Sequence, residues 1–278
     1  MSAQTYVVGN FKGGVGKSTC VQMLGFESAS AKKRKTLIID LDQQGNTSDV
    51  MRITRMVNRE ENEPIEYSYT IYDVLMSDID PHMAIYNIID NLDIIPANAL
   101  FENYANEIPQ MFSKRIDQFN YFVSKLSFLK DEYDAIYLDV PPSMSIFSQS
   151  AAYFADWAII VLQTQVMSMR NGLEYIQFME ETMYGQYKHP IRAAGVIPFM
   201  LEKDDAIDKE VYQQAQELFG EHLLKNVVFK NSRLKRYSGS GITLEKKKDG
   251  GLKQWDKKTH DLFIGILDEL DEHQTWFA

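Results

Sequence analysis

The chain has 278 residues, 45% hydrophobic and 24% charged, with a formal net charge of −10 and one cysteine, Cys20. That length and balance suit a globular domain able to bury a full core, and one thiol excludes an internal disulfide or a cysteine-held iron–sulfur cluster within one chain. No apolar run approaches the ~20 residues of a membrane helix, and the N-terminal residues are too weakly basic to be expected as a secretion signal.

In chain order, the pattern predicts a strand at Thr5–Gly9, a glycine-rich turn, a helix at Lys17–Ala31 and a buried strand at Thr36–Leu41. The polar, acidic stretch Val57–Ser68 reads as an exposed loop. Further strands are expected at Asn91–Pro96, Tyr133–Val140, Asp156–Gln163, Ile191–Phe199 and Asn226–Phe229. Apolar residues at helical spacing predict helices at Ile116–Leu129, Ser145–Ala155, Asn171–Tyr184, Lys209–Phe219 and Thr259–Leu270, with a loop at Lys246–Gly251. Strands alternating with helices imply an α/β fold, a mainly parallel twisted sheet with helices on both faces. The near-continuous apolar strands agree with a sheet covered on both sides. One domain spanning 1–278 is the simplest organisation.

Asn10-Phe11-Lys12-Gly13-Gly14-Val15-Gly16-Lys17-Ser18-Thr19 follows a predicted strand and opens a predicted helix, the context of a phosphate-binding loop. Phe11 stands where the generic pattern has its first glycine. Gly13, Gly14 and Gly16 let backbone N–H groups converge on phosphate oxygens without side-chain clash. The helix N-terminus adds a positive dipole end. Lys17 can neutralise phosphate charge, and the Ser18 hydroxyl can ligate Mg²⁺.

Lys12–Thr19 (KGGVGKST) resembles the deviant Walker A motif of the ParA/MinD ATPases. Asp40–Asn46 (DLDQQGN) resembles that family's DLDPQGN, with Gln43 in place of proline. Thr70–Leu75 followed by Asn91–Leu100 resembles the region upstream of Walker B, and Tyr133–Pro142 (YDAIYLDVPP) resembles the Walker B segment itself. Val228–Gly241 (VFKNSRLKRYSGSG) resembles a late segment of ParA proteins, with Phe229 replacing proline. Ile197–Lys203 (IPFMLEK) departs from the family's Thr-Met-Tyr-Asp type.

The resemblance implies a P-loop NTPase fold using ATP and Mg²⁺, with Lys12, Lys17 and Asp42 as the catalytic set. Lys12 would reach the nucleotide of a facing subunit, where a cation offsets phosphate repulsion. Lys12 through Thr19, with Phe229 and Asn231, would contact the nucleotide. Asp42 would orient or deprotonate the attacking water; Asp40 and Asp139, with Ser18, would form the metal shell. The alternative for Asp40 or Asp42 is that one caps the following helix. Asp139 ends an apolar strand, where a carboxylate is costly unless a cation is near, and Pro141-Pro142 stops that strand. Slow hydrolysis, an ATP-dependent homodimer, a ParB-like centromere-binding partner and a cytoplasmic, nucleoid-associated location follow from the same resemblance.

Charge distribution separates DNA from membrane as the output surface. From Lys225 to Lys258 the chain holds eleven Lys/Arg against three Asp/Glu. Arg233, Lys235, Arg236, Lys246, Lys247, Lys248, Lys253, Lys257 and Lys258 are candidates for contacting DNA phosphates without sequence preference. No N-terminal helix-turn-helix domain is expected, since the loop begins near residue 10. A MinD-like, membrane- or surface-acting ATPase is the alternative. Against it, the last helix carries Asp261, Asp268, Glu269, Asp271 and Glu272, which an anionic membrane repels. Leu262, Phe263, Ile266, Leu267 and Leu270 on that helix read as a core stripe, Cys20 as a packing residue, and the five histidines show no metal-ligand spacing.

Overall fold

The computed structural model describes residues 2–59, 65–77, 79–163, 166–202, 205–244 and 254–277. The strands are β1 (Gln4–Gly9), β2 (Thr36–Asp40), β3 (Tyr86–Ile89), β4 (Leu92–Ile95), β5 (Ala135–Asp139), β6 (Trp157–Gln163), β7 (Arg192–Leu201) and β8 (Val228–Phe229). The helices are α1 (Lys17–Ser30), α2 (Asn46–Asn58), α3 (Ile71–Met76), α4 (Tyr104–Met111), α5 (Arg115–Leu126), α6 (Leu129–Glu132), α7 (Ile146–Phe154), α8 (Val166–Phe178), α9 (Ala206–Phe219), α10 (Ser232–Ser240) and α11 (Gln254–Thr275). Shorter helical turns lie between some of these.

The strands form one sheet in the order β3-β4-β2-β5-β1-β6-β7-β8. Every pairing is parallel except β3 with β4, an edge hairpin turning through Asn91 in a left-handed conformation (φ 64°). Alternation along the strands divides the core in two. Val7, Leu37, Ile39 and Leu138 face α3 to α9; Tyr6, Val8, Ile38 and Tyr137 face α1, α2, α10 and α11. Both faces are covered, so the central strands β2 and β5 are buried along their whole length.

The predicted strands are all present, and β3 is an addition that its half-buried pattern concealed. Helices α2, α3, α4 and α10 were not expected from apolar spacing. In α2 the inward positions include Thr47, Ser48 and Thr54, polar residues that break the apolar periodicity. The helix expected at Asn171–Tyr184 begins earlier, at Val166, and passes into a π-helical segment at Met179–Gln186. The expected loop Val57–Ser68 begins as the last turn of α2; its residues 60–64, and all of the expected loop Lys246–Gly251, fall outside the described residues.

Candidate functional site

The parallel strands put their C-terminal ends on one edge, where open α/β sheets collect ligands. β1 lies between β5 and β6, so the loop after Gly9 emerges at the centre of that edge. Asn10, 2% exposed, fixes the loop's first turn: its Nδ2 donates to the Val161 carbonyl at 2.8 Å, and its Oδ1 accepts from Lys12 N–H at 2.8 Å. Phe11 packs edge-on against Tyr175 and Phe178 of α8, anchoring the position that the generic pattern gives to glycine.

Gly14 and Gly16 adopt φ of 74° and 99°, the left-handed region. A Cβ on Gly16 would lie 2.2 Å from a ring carbon of Phe199, so the tight turn and the close packing both require glycine. Val15 is buried, while Gly13 and Gly14 are exposed. Gly16 precedes α1 without any side-chain cap, which leaves the first N–H groups of the helix to an anion. Ser18 and Thr19 are half-buried in that first turn.

Lys17 is 6% exposed, and its Nζ donates to the Lys12 carbonyl at 3.1 Å. Burial lowers its pKa, opposed by the carboxylates of Asp139 and Asp42. A cation held at a desolvation cost beside two carboxylates is primed for further negative charge. Lys12 itself is half-buried, its backbone tied on one side by Asn10 and on the other by Lys17.

Asp40 and Asp139 are direct register partners at the ends of β2 and β5, both fully buried. Burial raises the pKa of each, and the Asp139 charge raises that of Asp40 further. Their surroundings differ. Asp139 Oδ2 accepts from Thr47 Oγ1 at 2.6 Å, the nearby Ser18 hydroxyl favours the charged form of this carboxylate, and Gln22 Nε2 holds Thr47 at 2.9 Å. Asp139 Oδ1 is buried with no hydrogen-bond partner. An orphan carboxylate oxygen beside a serine hydroxyl and a buried lysine fits a hard divalent cation.

Asp40 is held by three donors. Its Oδ1 accepts from Asp42 N–H at 3.1 Å, and its Oδ2 accepts from Ser48 N–H at 2.9 Å and Ser48 Oγ at 2.7 Å. It ties the loop after β2 to the first turn of α2, the capping alternative. Asp42 is half-buried, accepts from Gln44 N–H at 3.0 Å, and lies near enough to Lys17 and Asp139 to perturb both. Pro142 covers Gly13 from the loop after β5, 3.6 Å from where its Cβ would be.

The late segment divides similarly. Phe229, 41% exposed, ends β8 on the same edge of the sheet. Asn231 is the cap of α10: its Oδ1 accepts from Arg233 N–H at 2.8 Å and its Nδ2 donates to Thr259 Oγ1 at 3.0 Å. Arg233 was expected on DNA but is turned inward, its guanidinium paired with Asp256, which is 1% exposed. Lys235, Arg236, Lys257 and Lys258 are exposed. Lys246, Lys247, Lys248 and Lys253 lie outside the described residues. Cys20 is buried, as expected of a packing residue.

Sequence reasoning missed Asn10, Gln22 and Thr47 as site-building residues. Thr47 follows DLDQQGN directly, and a polar residue near a loop rich in acids was the available signal; Gln22 gave none beyond its place on α1.

Residues 3–190 match the family described as AAA domain. Soj of Bacillus subtilis, a sporulation initiation inhibitor protein, is 27% identical over 233 residues, covering 84% of this chain and 86% of that protein. Among solved structures, the ATP complex of Cyanothece McdA superposes with a TM-score of 0.76 at 18% identity, covering 97% of each chain. A plasmid partition protein from Borrelia burgdorferi bound to AMPPNP gives 0.73 at 20% identity, over 96% of this chain and 99% of that one. With its glycine loop, its strand-end aspartates and its eight-stranded sheet, this chain belongs to that AAA-domain family and is of the ParA/MinD type.

Proposed function

We propose that the chain is a ParA-type DNA-partition ATPase: it binds ATP with Mg²⁺, pairs into a homodimer while ATP is bound, and holds DNA without sequence preference. Hydrolysis is slow until a ParB-like centromere-binding protein stimulates it. The observation that carries the reading is the convergence of buried Lys17, the open Oδ1 of Asp139 and half-buried Asp42 around the glycine loop.

Phosphate oxygens meet the N–H groups opening α1 and the Lys17 ammonium, whose desolvation cost the added negative charge offsets. Ser18 and Asp139 would hold Mg²⁺, which when bound neutralises phosphate charge in the transition state. Asp42 accepts a proton from, or orients, the attacking water at the rim of the site. Lys12 presents its ammonium to the nucleotide of a second copy, so that two ATP-bearing faces attract rather than repel.

DNA is favoured over a membrane as the output surface. Phe263, Ile266, Leu267 and Leu270 of α11 are buried in the core, so that helix offers its apolar stripe to the sheet and not to lipid. No helix among the described residues is long and apolar enough to cross a membrane. ATP turnover measured with and without DNA, for the wild type and for Asp42→Ala, tests the enzymatic reading: turnover should fall at least tenfold in the variant. Equal turnover removes Asp42 from the mechanism.

A further inference from the structure

An exposed aromatic ring lies in the same late segment as the exposed cations. Trp255, in the first turn of α11, is 74% exposed, more than Trp157 at 7% or Trp276 at 44%. Lys257 and Lys258 follow it on α11, with Lys258 Nζ 5.7 Å from the ring centroid, and Lys235 and Arg236 are exposed on α10.

The platform beneath the ring is rigid. Asp256, the next residue, is buried and held by the Arg233 guanidinium from α10, one arm at 2.7 Å, and by Tyr237 Oη, which donates at 2.9 Å. Tyr237 Oη also meets His260 Nε2 at 3.1 Å, and His260 Nδ1 pairs with Glu27 of α1. The polar chain therefore runs from the helix that opens at the phosphate loop to the turn that carries Trp255. Lys258 lies at the ring, Lys235, Arg236 and Lys257 are exposed on the same two helices, and Asp261 is an exposed acid six residues after Trp255 on α11.

We propose that Trp255, with Lys258 beside it, stacks on a nucleic-acid base, so that this basic segment grips DNA through an aromatic contact as well as through phosphates. The inference rests on the DNA-binding reading above and adds to it a contact that reads no sequence, since every base has a π-face. It also makes the face able to hold single-stranded DNA, whose bases are already unstacked, more tightly than duplex at equal length.

The test is DNA binding by the full chain with ATP and Mg²⁺, using random-sequence single-stranded and duplex oligonucleotides across a salt series. Trp255→Ala should weaken single-strand affinity roughly tenfold, the scale of one lost base–aromatic stack, with an unchanged slope of log affinity against log salt. Trp255→Phe should recover most of it. Lys257→Ala with Lys258→Ala should instead flatten the slope. DNA should quench the tryptophan emission of the wild type and leave that of Trp255→Phe largely unquenched, a readout that a merely structural role would not move. Wild-type affinity in Trp255→Ala, with the lysine variants weakened, overturns the stacking contact while leaving the DNA reading intact. No DNA binding by the wild type with ATP overturns both.

Discussion

Gly16 is the residue at which geometry leaves least choice. Its φ of 99° is strained for any side chain, and a Cβ there runs into Phe199. Gly16→Ala should cost about 2 kcal/mol or more of stability, from backbone strain and overpacking together, and should weaken ATP binding. Urea denaturation and calorimetric titration measure the two effects. Pairing it with Phe199→Ala should restore part of the stability, since the two residues share one clash; additive losses would place the cost elsewhere. Lys17→Ala should abolish ATP binding, because no other lysine is buried in the loop; affinity kept within threefold would remove Lys17 from the phosphate site. At this scale the loop was legible by its glycines and lysine even though Phe11 breaks the generic pattern. The helix-end contacts of Asp40 and Asn231 were not fixed by it, because a carboxylate or amide at a loop can cap a helix as readily as it can face a ligand. The donors from Ser48, Asp42 and Arg233, and the Thr259 hydroxyl that accepts from Asn231, are contacts that single-chain spacing does not reveal.

Between elements, the buried pair of Glu27 on α1 and His260 on α11 joins the nucleotide helix to the C-terminal helix. Both residues are at least 97% buried, so removing one leaves a polar partner stranded. Glu27→Ala should destabilise the protein by about 3 kcal/mol, and a loss below about 0.5 kcal/mol on denaturation would show that the pair is dispensable. His189, before β7, behaves differently with pH. Burial lowers its pKa from the ordinary 6.5, although its Nε2 lies 2.9 Å from the Ala155 carbonyl. Below 6.5 the unfolded chain takes up a proton that the folded one resists, so stability is lost as pH falls from 6.5 toward the lowered folded value. His189→Gln should flatten the fall in melting temperature between pH 7 and pH 5; an unchanged slope would remove His189 as a cause. The strands were readable because buried parallel strands are short apolar runs, whereas α2 escaped because its inner face is built from Thr47, Ser48 and Thr54 as well as Val50 and Met51.

For the whole molecule, the α/β class and the two-faced sheet followed from the alternation of elements, and the position of the site followed from the parallel strands whose ends converge. The basic segment was visible as a cluster of lysines and arginines, but its division into inward Arg233 and outward Lys235, Arg236, Lys257 and Lys258 depends on how α10 packs on α11. Trp255 was invisible for the same reason: nothing in its spacing separates an exposed tryptophan from a core one. The central claim is that ATP, read through Lys12, brings two copies together. Light scattering of the wild type and of Lys12→Ala, each with ADP and with ATP and Mg²⁺, tests it directly, with nucleotide binding measured alongside. The expected result is a wild type that is monomeric with ADP and dimeric with ATP, and a Lys12→Ala variant that binds ATP yet stays monomeric. A wild type whose mass does not change with ATP, or a variant that pairs as the wild type does, would contradict it.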